Sequence, residues 1–157
     1  IIGDLKIQPD SIKLEITESM MADNVERAID VLLQLKSLGI KLGMDDFGTG
    51  YSSLSYLSRF PIDTLKIDRS FVNTMHQVNS DLEVVRTIIN LGHNLGMDII
   101  AEGVEHQEQL TTLANLSCEY AQGFFMSKPL ASDAATELLL AEPCWQSSHL
   151  CSLTIRR

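Results

Sequence analysis

The chain has 157 residues, with 12 Lys and Arg against 21 Asp and Glu, for a formal net charge of −9. The length predicts one domain, and the excess of acids argues against a non-specific nucleic-acid binder, which needs a basic face to neutralise phosphates. Hydrophobic residues make up 45% of the chain, enough for a packed core, yet no apolar run nears the roughly 20 residues that cross a bilayer.

No charged segment followed by an apolar one opens the sequence, so nothing reads as a signal peptide. Cys118, Cys144 and Cys151 are an odd count, few for the length, and do not predict a disulfide framework. A reducing cytoplasm is the expected setting.

Residues 1–11 read as a helix end and a loop, punctuated by Pro9 and Asp10. Ile12 to Glu18 has the β-branched content and alternation of a strand. Asn24 is placed to cap a helix from Val25 to Leu38, with Val25, Ala28, Ile29, Leu32 and Leu35 on one face and Gly39 as its stop. Ile40 to Met44 predicts a short apolar strand that meets Asp45 and Asp46. Tyr51 to Phe60 suits a short helix ended by Pro61, and Thr64 to Ile67 a strand.

Asp81 to Leu95 predicts a helix with Leu82, Val85, Ile88, Ile89 and Leu95 inward. Met97 to Ala101 is a strand that meets Glu102, and Glu105 to Leu116 a helix with Leu110, Leu113 and Ala114 inward. Tyr120 to Phe125 is a strand, and Ser132 caps a last helix to about Ala141, which Pro143 breaks. Strands alternating with helices predict a mostly parallel α/β sheet. Either an open doubly wound sheet or a barrel satisfies the pattern. A complete (β/α)₈ barrel takes about 250 residues, so a barrel here means its C-terminal part, about five strand–helix units. The expected organisation is residues 1–142 as that unit and 143–157 as an irregular tail.

Polar residues recur where the strands end. Glu15 and Glu18 close the first, Asp45 and Asp46 the second, Lys66 the third and Glu102 the fourth, while Gln122 lies in the fifth. In parallel α/β folds, ligands bind beyond the carboxyl ends of strands. A single acid there is easily a helix cap, but charged groups at strand after strand point to a site. Glu15, Asp45, Asp46 and Glu102 brought together repel one another, and Lys66 alone does not balance them. Hard divalent cations do, and all-oxygen donors select Mg²⁺, Mn²⁺ or Ca²⁺ over zinc. Adjacent Asp45 and Asp46 suit a pair of ions, the arrangement used for in-line phosphodiester cleavage. Lys66 is then a candidate to orient or deprotonate the nucleophile.

Gly48, Thr49, Gly50 and Ser52 suit a mobile lid or a tight backbone path. Asp46-Phe47-Gly48 matches the kinase tripeptide, but the catalytic loop and phosphate loop of a kinase are absent. His76, His93 and His106 lack ligand spacing, and Cys144, His149 and Cys151 lack a fourth ligand.

Several ordered strings carry a resemblance. These are Leu14-Glu15-Ile16-Thr17-Glu18-Ser19, Asp45-Asp46-Phe47-Gly48-Thr49-Gly50-Tyr51-Ser52-Ser53-Leu54, Lys66-Ile67-Asp68, Ala101-Glu102-Gly103-Val104-Glu105, and Gln122-Gly123-Phe124 ahead of Pro129-Leu130. In order and spacing, over about residues 5 to 140, the chain resembles the EAL-domain family of bacterial cyclic di-GMP phosphodiesterases. The resemblance implies a TIM-like barrel that binds cyclic di-GMP with two Mg²⁺ or Mn²⁺ ions and opens it to linear pGpG. It implies Glu15 on the first metal, Asp45 bridging both, and Asp46 and Glu102 on the second. Lys66 would position or activate the attacking water, with Gln122 supporting that water and the metals. Glu18 would anchor the loop from Asp46 to Ser53, tied in this family to metal binding and homodimer contacts. Glu105 is a further acid at the site, and Asp68 supports it from behind.

The Glu-Ala-Leu tripeptide that names the family does not occur in the chain. Its strand, a ligating Asn and a phosphate-binding Arg are therefore expected outside these residues, and the chain alone is expected to be inactive. The expected setting is cytoplasmic, within a larger sensory or membrane-attached protein. The alternative reading is a non-catalytic cyclic di-GMP receptor or partner-binding module.

Overall fold

A computed structural model describes residues 7–17, 25–48, 57–77 and 79–141. Five strands form one sheet in the order β1-β2-β3-β4-β5. They are β1 (Lys13–Thr17), β2 (Lys41–Phe47), β3 (Thr64–Ile67), β4 (Asp98–Glu102) and β5 (Tyr120–Gln122), and every neighbouring pair is parallel. The helices are α1 (Val25–Ser37), α2 (Arg69–Thr74), α3 (Asn79–Asn94), α4 (Gln107–Asn115) and α5 (Ser132–Leu140). A 3₁₀ turn at Pro9–Ser11 precedes β1.

The strand order never reverses. A doubly wound sheet has a switch point where it does, so the sequential order separates the two architectures left open by the sequence and favours the barrel type.

Strand alternation sorts the side chains. Leu42, Met44, Leu65, Ile67, Ile99 and Ala101 are buried under the helices, where they pack with Val85, Ile88 and Ile89 of α3 and Leu110 and Leu113 of α4. The alternate positions, Gly43, Asp45, Thr64, Lys66, Ile100 and Glu102, lie on the other face. That second face carries the polar strand-end residues, so the apolar layer fixes which way they point.

The structure differs from the sequence reading at several ends. β2 runs on through Asp45 and Asp46 to Phe47 instead of stopping at Met44, because a bulge keeps the chain paired with β3. β5 stops at Gln122 rather than Phe125. Beyond it the chain turns at Gly123, where a Cβ would lie 2.1 Å from the Val104 carbonyl oxygen. α2 was not anticipated; the Asp68 side chain caps it by accepting from the Ser70 amide at 3.0 Å. Ser132 is the first residue of α5 and not its cap, a position held by Ala131. The expected Asn24 cap, the Tyr51-to-Phe60 helix before Leu57 and the 143–157 tail lie outside the described residues.

Candidate metal centre at the strand ends

The centre begins with a buried cation. Lys66, on β3, keeps only 7% of its side chain exposed. An ammonium withdrawn from water costs several kcal/mol (about that order) unless anions surround it. Three do, one from each of three strands. Nζ lies 2.7 Å from Glu102 Oε1, 2.8 Å from Glu15 Oε2 and 3.1 Å from Asp45 Oδ1. Burial alone would lower the Lys66 pKa; the hydrogen bonds to Glu102, Glu15 and Asp45 outweigh it, and the net direction is up. In this arrangement Lys66 is a hydrogen-bond donor and a counter-charge.

Consecutive strand residues ordinarily face opposite sides, so Asp45 and Asp46 should not share a site. A bulge changes that. Met44 pairs with Leu65 and Phe47 with Ile67, which leaves Asp45 and Asp46 together opposite the single residue Lys66. Asp46 takes a left-handed backbone, φ 54°, a conformation that Asp tolerates better than most residues. Its amide donates to Asp45 Oδ1 at 3.0 Å. Carboxylate oxygens of Asp45, Asp46 and Glu102 consequently fall within 4.8 Å of one another.

The other expected residues are distributed around this core. Gln122 is level with Glu102 in the β4–β5 register. Glu105 is exposed beyond Glu102, and its amide donates to Gln109 Oε1 at 2.8 Å. Asp68 is occupied as the α2 cap. Gly48 has φ 98°, and a Cβ there would meet the Phe71 ring at 2.9 Å. Glu18, Thr49, Gly50 and Ser52 lie outside the described residues, as do Cys144, His149 and Cys151.

Two polar residues escaped the sequence reading. Asp63 sits at the opposite end of the sheet. It accepts from Lys36 Nζ at 2.6 Å and from the Leu42 amide at 2.8 Å, with Lys41 Nζ 3.8 Å away. Burial would raise its pKa, but the Lys36 and Leu42 hydrogen bonds and the two lysines bring it below the usual value. Gln109 is buried at 3% exposure between α4 and α2. Its signal was a Gln three residues after a helix start, the spacing of a capping box.

Elsewhere His93, Glu119 and Cys118 have structural partners. His93 Nε2 meets Glu119 Oε1 at 2.7 Å, and Glu119 Oε2 accepts from the Ile99 amide at 2.9 Å. The Cys118 thiol is buried, which pushes its pKa up to about 12 and makes it a poor nucleophile.

The donor set fits hard dications. Asp45, Asp46 and Glu102 offer only carboxylate oxygens, close enough together to share an ion, and Glu15 reaches the same Lys66 Nζ at 2.8 Å. Among the described residues no helix is long and apolar enough to cross a membrane.

Comparison with known proteins gives a consistent result. A family model described as EAL domain matches residues 1–129. NbdA of Pseudomonas aeruginosa, described as a cyclic di-GMP phosphodiesterase, is 43% identical over 130 residues, which cover 83% of this chain and 17% of NbdA. The solved EAL domain of Mycobacterium smegmatis DcpA superposes with a TM-score of 0.83 at 41% identity, over 89% of this chain and 63% of that one. Klebsiella pneumoniae BlrP1, solved as a manganese and cyclic di-GMP complex, superposes with a TM-score of 0.75 at 34% identity, over 82% of this chain and 33% of that one. The chain thus spans less than a quarter of NbdA and about two thirds or less of the two solved chains.

Proposed function

The chain belongs to the EAL-domain family, and on that footing we propose that the protein carrying it hydrolyses cyclic di-GMP to linear pGpG with the help of two divalent cations, Mg²⁺ or Mn²⁺. The observation that carries the reading is the convergence of Glu15, Asp45 and Glu102 from three strands on Lys66 Nζ, with the bulge bringing Asp46 to the same place.

In this reading Asp45, Asp46 and Glu102 would hold one ion, and Glu15 with Asp45 would contribute to the other. When bound, such ions neutralise phosphate charge and lower the pKa of coordinated water. The chain's own groups do the rest. Lys66 Nζ, fixed by its carboxylates, donates a hydrogen bond that orients the attacking water. Gln122, level with Glu102 across the β4–β5 pair, supports the same water, and Glu105 lies beside it on the rim. Glu18 anchors the loop that carries Gly48, Thr49, Gly50 and Ser52. The carboxylate rim also explains how a chain of net charge −9 accepts a phosphodiester: the ions reverse the local sign.

The remaining parts of the reading rest on family membership. Residues 1–142 form the barrel portion and 143–157 a tail. The loop and helix after Asp46 form a homodimer contact, and the protein works in the cytoplasm as one module of a longer chain.

Incubation of the full-length protein with cyclic di-GMP and Mn²⁺, followed by chromatography of the nucleotides, tests the proposal. Stoichiometric appearance of pGpG supports it. Tight binding of cyclic di-GMP with no pGpG formed contradicts hydrolysis and marks the domain as a receptor.

A further inference from the structure

The segment after Glu102 is held from three sides. Gly103 has φ 72° and is pressed on α2, where a Cβ would lie 2.5 Å from Arg69 Cβ. Val104 is fully buried; its amide donates to the Gln122 carbonyl at 3.1 Å, and its carbonyl accepts from the Phe125 amide at 2.9 Å. The next two amides, of Glu105 and His106, both donate to Gln109 Oε1, at 2.8 and 2.9 Å. The other end of the same side chain reaches a different element: Gln109 Nε2 donates to the Val72 carbonyl of α2 at 3.1 Å.

This arrangement exceeds a helix cap. A capping-box glutamine needs only the amide at the helix start. Gln109 takes two amides and adds a bond to α2, so its orientation is fixed at both ends by donors and acceptors of opposite kind. Val72 supplies one of the last four carbonyls of α2, which a helix end leaves without partners of its own. α2 in turn follows β3 directly, its start capped by Asp68, two residues after Lys66. Gln109 therefore bridges the element that follows Lys66 and the segment that follows Glu102, behind the 2.7 Å contact between those two side chains.

We propose that Gln109 is a positioning residue, holding the Glu102-bearing segment against α2 so that Glu102 stays in reach of Lys66 and of a divalent cation. The proposal deepens the metal-site reading above and rests on it. An apolar isostere at 109 removes the acceptor of two part-buried amides and the donor to the Val72 carbonyl, and the segment relaxes outward. Partners behind a metal ligand typically alter metal affinity by about 10–100-fold.

The test uses the full-length protein, with Mn²⁺ binding by calorimetry and amide hydrogen exchange as readouts, both well below the unfolding temperature. Gln109→Met is expected to weaken Mn²⁺ binding by about tenfold or more and to speed exchange at Glu105 and His106. Gln109→Glu, which keeps the acceptor oxygen, is expected to restore slow exchange and part of the affinity. Leu113→Ala, a cavity on the same helix, controls for destabilisation and is expected to leave Mn²⁺ affinity unchanged. Wild-type Mn²⁺ affinity in Gln109→Met overturns the proposal, and so does an equal loss in Leu113→Ala. If Gln109→Met alone shows the loss while cyclic di-GMP is never cleaved, the positioning role stands and the hydrolase reading falls.

Discussion

Asp45 and Asp46 are consecutive strand residues whose carboxylates meet at one site, because the bulge in β2 sets both opposite Lys66 and the Asp46 amide closes on Asp45 Oδ1 at 3.0 Å. The left-handed backbone of Asp46, φ 54°, is the local cost of that arrangement. Such strain persists where the surroundings over-determine it, and it concentrates at functional sites.

Substitution at position 46 separates backbone from charge. Asp46→Gly relieves the strain and is expected to keep or raise stability while weakening Mn²⁺ binding. Asp46→Val keeps the strain without the carboxylate and adds a β-branched clash, with an expected loss of roughly 1–2 kcal/mol. Urea unfolding read beside Mn²⁺ calorimetry distinguishes the two. Equal stability of the two variants contradicts the backbone assignment.

Lys66 holds three carboxylates that repel one another. Lys66→Met removes the counter-charge, and breaking a buried ion pair costs about 3 kcal/mol or more. Added Mn²⁺ supplies the missing positive charge. The variant is therefore expected to unfold at lower temperature without metal and to gain more from Mn²⁺ than wild type does. Thermal unfolding across a Mn²⁺ series measures the difference, and an equal metal-induced gain in both proteins refutes the role.

Much of this was legible in the sequence, for reasons that also mark where legibility ends. Thr64 to Ile67 is a strand with the predicted limits, since a short β-branched and apolar run between breakers has few alternatives. The inward faces of α1, α3 and α4 followed from spacing alone. β2 outruns its predicted end because the apolar run stops at Met44, whereas the strand continues through a bulge that depends on pairing with β3, which a single segment does not encode. α2, at six residues, is too short for helical periodicity to register. Gln109 has a capping-box spacing in the sequence, but its burial and its bond to α2 are set by neighbouring elements that the spacing does not encode.

Asp63 predicts an acid sensitivity at the end of the sheet away from the carboxylate cluster. Its pKa is lowered in the folded chain, so its contribution is present above the unfolded value, about 3.9. That contribution is lost as pH falls through the lower, folded value. Asp63→Asn is expected to cost about 1–3 kcal/mol at neutral pH and to flatten the acid limb of the stability curve below pH ~4. Urea midpoints from pH 2 to 7 test this; an unchanged acid limb in the variant contradicts it.

Cys118 is expected to be inert in the folded protein. Its thiol is buried among backbone carbonyls, 3.2 Å from Tyr120 O, and its pKa is pushed up to about 12. Peptide mapping after iodoacetamide treatment should find Cys118 unmodified in native protein and modified in urea. Rapid native labelling would contradict the burial described.

Carboxylates from three separate strands gather around Lys66, an arrangement suited to holding dications. Anomalous diffraction from crystals of the full-length protein grown with Mn²⁺ tests it most directly. Manganese peaks are expected at coordination distance from Asp45, Asp46 and Glu102, with Lys66 beside them. Manganese bound only elsewhere on the surface, with those three carboxylates bare, would contradict it.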